Sequence, residues 1–294
     1  MEIPARAWIG RHRIASFLLI SYGFTWTVQA LLAVAGLEAS WTLSILVGFG
    51  AFGPTIGAAT VVWAAGGSLR SWIGQAFRWR IDLRWWGVVL ILPPVVLILG
   101  SGIYVALGGP VGLDALPAPA IYLFVMVWGI VWGGSQEELG WRGFLVPVLQ
   151  ERFSALRTSL VVGVAWAGWH LPLFINPRLT HAGWPLTQQL LWGVTILAGS
   201  VLWTWMYNNT GSVLAVAVFH AGVNSIGIFH PADRTVLVPG GIPDPWLMIL
   251  AEGSSAGVLV GAALLVVHAF GPERLSGSEI PNGETLGFDD TATK

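Results

Sequence analysis

Residues Trp85 to Leu107 read WWGVVLILPPVVLILGSGIYVAL and hold no acidic or basic side chain. A helix of about 20 such residues crosses a hydrocarbon core of about 30 Å, so this run reads as a membrane span. Similar runs lie on either side of it, at about 14 to 36, 41 to 65, 120 to 148, 158 to 175, 187 to 207, 212 to 229 and 246 to 270. Eight helices follow, and the fold class is an all-α polytopic integral membrane protein. The composition agrees: of 294 residues, 55% are hydrophobic and 10% charged, where soluble domains carry about 25% charged residues. The fifth and seventh runs are short and contain His, which fits helices packed inside the bundle.

Charge narrows the function classes. A net charge of -1 offers no basic surface for phosphates, so nucleic acid is not expected as a partner. The absence of Cys excludes disulfides, thiolate metal sites and Cys nucleophiles. Arg6, Arg11 and Arg13 ahead of Ile14, with Ala33-Val34-Ala35 beyond, have the outline of a secretory signal, but the run is long enough to span and more spans follow. It is read as the first transmembrane helix.

Arginine also orients the chain, because cytoplasmic loops are enriched in Arg and Lys. Arg6, Arg11, Arg13, Arg70, Arg78, Arg80, Arg84, Arg152 and Arg157 fall in loops on one side, and the opposite loops hold Arg178 and Arg234. Both termini are therefore expected in the cytoplasm, with the protein in the plasma membrane. Residues 1–270 form a single transmembrane domain, and 271–294, rich in Gly, Ser, Glu and Asp, a disordered polar tail. Leu69 to Trp86 mixes Arg with Trp and Phe, as either an interfacial amphipathic helix or a basic loop with an aromatic belt would. Gly53 to Gly57 and Gly257 to Gly261 fit close helix packing. The sequon at Asn208 falls in a short cytoplasmic loop and is set aside. Pro93-Pro94 interrupts one span but has no counterpart elsewhere, so the paired broken helices of a transporter are missing.

Within this apolar chain, Ser135 to Phe144 reads SQEELGWRGF. A charge at bilayer depth costs about 2.5 to 3.5 kcal/mol on insertion scales, so such residues normally face a protein interior or a wet cavity. On a helix Glu138 and Arg142, four apart, share a face, while Glu137 is rotated by about 100°. One carboxylate is neutralised and its neighbour left free. His170 lies in the fifth helix, and His220 and Asn224, four apart, lie on one face of the seventh. A polar site between helices 4, 5 and 7 results. The plain alternative is a structural network, with Glu138 and Arg142 a structural ion pair. Against it, a carboxylate, two imidazoles and an amide together supply a base, a proton relay and oxyanion donors.

Glu137-Glu138-x-x-x-Arg142, then an aromatic residue four positions before His170, then His220-x-x-x-Asn224, resembles the CPBP family, the CAAX-type prenyl endopeptidases and their bacterial relatives, over about residues 120 to 230. Trp166 stands where that family usually has Phe, a change expected to affect packing more than chemistry. The resemblance implies that Glu137, helped by His170, activates a water for attack on a peptide carbonyl, and that His220 and Asn224 stabilise the oxyanion. No cofactor is implied. The implied partners are membrane lipid and a membrane-associated peptide or protein, prenylated or not. A zinc site held by Glu137, His170 and His220 competes with this reading, though His-Glu-x-x-His is absent. A non-proteolytic scaffold, immunity protein or transporter is the remaining alternative. Glu252, His268, His181 and His230 match no motif and receive no role.

Overall fold

A computed structural model describes residues 4–38, 40–176, 179, 181–232 and 245–288. The described residues are helical, apart from turns and one isolated backbone bridge between Val111 and Ala232. Six helices are long and apolar enough to cross a membrane. They are α2 (Arg13–Ala35), α3 with α4 (Trp41–Gly50 and Gly53–Ala64), α6 (Leu83–Ala106), α10 with α11 (Ala155–Trp169 and Pro172–Ile175), α12 (Leu186–Thr210) and α14 (Pro245–Phe270). A shorter apolar helix, α13 (Val213–Ile226), is enclosed by the bundle. The protein is an integral membrane protein.

The expected fourth helix exists in two pieces. α7 (Ile121–Val131) stops short, and the chain resumes through a 3-10 turn at Ser135–Glu137, α8 (Glu138–Gly140), a wide π turn at Trp141–Leu145 and α9 (Val146–Gln150). Counting this broken segment and α13, the eight expected apolar runs are all helical.

Local chemistry sets the ends. Ser40, Ser154 and Ser212 accept hydrogen bonds from backbone N–H groups in the first turns of α3, α10 and α13, satisfying donors that have no partner within the helix. Gly36 and Gly211 close α2 and α12 in the left-handed conformation that glycine adopts without strain. α6 runs through Pro93-Pro94, and Gly222 of α13 lets the Pro93 ring approach.

Close packing occurs at one of the two glycine pairs. A side chain at Gly53 or Gly57 would collide with Ser21 of α2, so α4 lies tightly on α2, whereas Gly257 and Gly261 face open space. Leu69 to Trp86 contains a short helix, α5 (Leu69–Gly74), with Leu69, Ile73 and Phe77 exposed along one stripe and Trp72 and Gln75 buried beneath. That stripe fits the interfacial reading better than a plain loop.

The loops bearing arginine meet at one end of the bundle. α1 (Pro4–Arg11) docks there through Arg6, which donates to the carbonyls of Trp63 and Ala64. Residues 271–288 correct the expectation of a disordered tail, because they pack on the same end. Leu275 and Leu286 are fully buried, Asn208 and Asn209 donate to the carbonyls of Arg274 and Leu275, and Gln150 donates to that of Pro281. Asn208 is itself buried and bonded to Gln150, which leaves the sequon no exposed amide. Arg178 and Arg234 lie outside the described residues.

Candidate active site

The break after α7 creates the site. Trp132 leaves helical geometry and fixes the exit by donating its indole N–H to the Ile45 carbonyl at 2.7 Å. Gly134 then adopts φ +115°, which an L side chain rarely tolerates. Its N–H is capped by the Gln136 side chain at 2.9 Å, and the Ser135 hydroxyl donates to the Ala217 carbonyl of α13 at 2.7 Å. At Gly140 an added Cβ would lie 2.5 Å from Pro54, so the tip of α4 presses directly on the restarted segment. The π turn beyond it is a geometry often found at functional sites.

Glu138 and Arg142 form the ion pair that their spacing implies, with both carboxylate oxygens 3.1 Å from Nη1 and neither side chain exposed. Arg142 continues to the Ser200 hydroxyl at 3.2 Å, which itself donates to the Ser159 carbonyl. Its guanidinium also lies over the Trp166 ring, 4.8 Å from the centroid. The pair reaches further than the sequence indicated, because Glu138 Oε1 lies 2.8 Å from His220 Nδ1.

Glu137 is buried and is not free on both oxygens. Oε2 accepts the indole N–H of Trp166 at 2.7 Å and that of Trp141 at 3.3 Å. Trp166 therefore does more than pack, contrary to the sequence expectation. Its carbonyl also accepts from His170 Nδ1 at 2.8 Å. A carbonyl only accepts, so Nδ1 carries the proton and Nε2 keeps its lone pair. α2 steadies this part of α10, with the Trp26 indole on the Trp169 carbonyl at 3.0 Å and the Tyr22 hydroxyl on that of Ala165.

An ideal Cβ built on Gly134 would lie 3.3 Å from each of Glu137 Oε1, His220 Nε2 and Asn224 Nδ2. Three polar atoms from two chain segments thus converge on one point, kept open by the missing side chain. Asn224 is exposed there and also donates to the Gly133 carbonyl at 3.2 Å. His170 lines the same cavity without hydrogen-bonding Glu137; Trp166 links them.

The cavity measures about 650 Å³. His181 covers part of it, beside Phe174 and Trp184, and burial pushes its imidazole down to about 4. Among the described residues no three His, Asp or Glu side chains are grouped to hold a metal ion. His170 and His220 each engage Nδ1, with the Trp166 carbonyl and with Glu138, an arrangement that leaves Nε2 for another partner. Sequence reasoning missed Gly134, Trp141 and Ser200; the Gly133-Gly134 pair ahead of the carboxylates was the available signal.

Residues 117–226 match the family described as Type II CAAX prenyl endopeptidase Rce1-like. A CAAX prenyl protease 2 of Methanococcus maripaludis is 27% identical over 172 residues, which cover 53% of this chain. The match spans 60% of that relative's length. The matched region contains the broken helix, α10, α12 and α13, and the resemblance drawn from the motifs is borne out. Residues 117–226 are thus similar to the Rce1-like type II CAAX prenyl endopeptidases, over a little more than a third of the chain.

Proposed function

We propose that the protein is an intramembrane endopeptidase that hydrolyses a peptide bond in a membrane-associated substrate with a water activated by Glu137. The observation that carries this reading is the point 3.3 Å from Glu137 Oε1, His220 Nε2 and Asn224 Nδ2. A reacting group placed there touches a base and two oxyanion partners at once.

Glu137 Oε1 takes a proton from the water as its oxygen bonds to the substrate carbonyl carbon. Trp166 and Trp141 hold the other carboxylate oxygen and so aim the base. The developing oxyanion is met by the Asn224 amide and by His220, which as an imidazolium donates from Nε2 to the oxyanion and from Nδ1 to Glu138. When the carbon–nitrogen bond breaks, the proton on Glu137 passes to the leaving amine. His170, with Nε2 available as an acceptor, orients the water. Oxyanion donors of this kind contribute about 2.7 to 4 kcal/mol each in other hydrolases.

That relative's name is that of a CAAX prenyl protease, and a farnesylated CAAX peptide is accordingly one substrate to test. The test is cleavage of that peptide and of a pool of quenched apolar peptides by detergent-purified wild type and Glu137→Ala, each with and without a chelator. Cleavage that is lost in the variant and survives chelation is the expected result. Cleavage abolished by chelator and restored by zinc supports the metal reading. No cleavage by folded wild type favours a scaffold.

A further inference from the structure

The chain's net charge of -1 conceals a local concentration of arginine. Arg6 and Arg11 of α1, Arg13 at the start of α2 and Arg152 just beyond α9 surround a hollow of about 590 Å³. His12 lines it too, and Glu151 is its only carboxylate among the described residues. That carboxylate is turned against Gly283, where an added Cβ would collide with Oε1. None of the residues around the hollow lines the cavity that holds Glu137.

Neutral groups hold these arginines in place. Arg6 donates to the carbonyls of Ala64 and Trp63, Arg11 donates to that of Ala7, and Arg13 stacks over the Phe288 ring at 3.9 Å. Such partners fix a guanidinium without cancelling its charge, and among the described residues none of the four arginines forms an ion pair. Arg13 opens one membrane span and Ala64, at the wall of the hollow, closes another, so the hollow lies at the depth of lipid headgroups. Exposed tryptophans flank it, Trp63 against the Arg6 guanidinium and Trp8 stacked on His12, as suits a membrane interface. This placement holds whichever side of the membrane that end faces.

We propose that this hollow binds an anionic phosphate group at the membrane surface. The fork of N–H donors on a guanidinium matches phosphate oxygens, and the exposed Arg11 and Arg152 present theirs to it. Arg6 and Arg13, held by carbonyls and a ring, supply the surrounding charge. A phosphate shared by Arg11 and Arg152 ties α1 to the end of α9, so its binding stabilises the folded bundle. A phospholipid headgroup and free inorganic phosphate offer this same chemistry, and they are told apart by experiment.

The test is thermal unfolding of the full chain in neutral detergent, titrated with short-chain phosphatidylglycerol, short-chain phosphatidylcholine or inorganic phosphate. Wild type is compared with Arg11→Gln plus Arg152→Gln and with a control pair, Arg70→Gln plus Arg157→Gln, which are exposed arginines outside the hollow. The single substitutions Arg11→Gln and Arg152→Gln serve should the first pair fail to fold. The expected result is a saturable rise in melting temperature, with an apparent affinity weakened about tenfold or more in the Arg11 and Arg152 pair and unchanged in the control pair. A response to phosphatidylglycerol alone identifies a lipid headgroup as the source, and a saturable response to inorganic phosphate that competes with the lipid identifies the free anion. No saturable response to either, an equal response to phosphatidylcholine, an unweakened Arg11 and Arg152 pair, or an equal loss in the control pair overturns the proposal. Melting is read without any cleavage, so the result stands apart from the Glu137→Ala comparison.

Discussion

Trp166 holds Glu137 through its side chain, with the indole N–H 2.7 Å from Oε2, and holds His170 through its backbone carbonyl at 2.8 Å. A single residue of α10 therefore sets the direction of the carboxylate and the tautomer of the imidazole. Trp166→Phe keeps an aromatic ring and the backbone carbonyl, removes the N–H and leaves a small gap where the rest of the buried indole lay. A hydrogen bond to a charged group contributes about 1.5 to 3 kcal/mol, and the Trp141 N–H remains at 3.3 Å. The expected loss in kcat/KM is about tenfold in protein that remains folded, with a modest fall in melting temperature from the smaller buried ring, and adding Trp141→Phe deepens it. Activity at the wild-type level in the double variant would remove Trp166 and Trp141 from the mechanism.

Gly134→Ala places a methyl group at the convergence point and forces a φ of +115° on an L residue. Cleavage should disappear. The strain is of order 1 to 3 kcal/mol, a cost that the bundle should tolerate. Retained cleavage in a monodisperse Gly134→Ala preparation would show that substrate does not occupy this point.

Glu138 and Arg142 should behave unlike Glu137. Removing one partner of a buried ion pair leaves an uncompensated charge, at a cost of about 3 to 5 kcal/mol. Arg142→Met should therefore lower thermal stability sharply, while Glu137→Ala leaves a folded, inactive protein. Equal stability of the two variants in a thermal unfolding assay would contradict this division of labour.

The packed C-terminal segment is open to the same assay. Leu275 and Leu286 are fully buried, and truncating a buried Leu to Ala costs about 2 to 5 kcal/mol. Leu275→Ala and Leu286→Ala should each lower the melting temperature. No change in either would mean that the segment is detached in solution.

These residues also show what the sequence could and could not reveal. The Glu138–Arg142 pair was legible because four-residue spacing gives a shared face on an α-helix, and here the pair forms across the start of the π turn as well. The eight apolar runs were legible for the same local reason. The break at Trp132 to Gly134 was marked by the Gly133-Gly134 pair alone, since hydropathy runs continuously across it. The bond from Glu138 to His220 joins residues 82 positions apart, beyond the reach of helical periodicity. The packing of residues 271–288 was hidden by their polarity: Leu275, Leu286 and Phe288 bury while their neighbours face water. Gly257 and Gly261 erred the other way, since a small-residue pattern can equally face open space.

Gly134 also bears on how such a protein evolves. Its missing side chain keeps three reactive atoms within reach of one another, yet the surrounding helices do not depend on it for burial. On the proposed mechanism, one methyl group there would separate a protease from an inert sibling with the same bundle and the same tryptophan-lined hollow. Descent from cutting a membrane peptide to merely holding one is, at this position, a single substitution long.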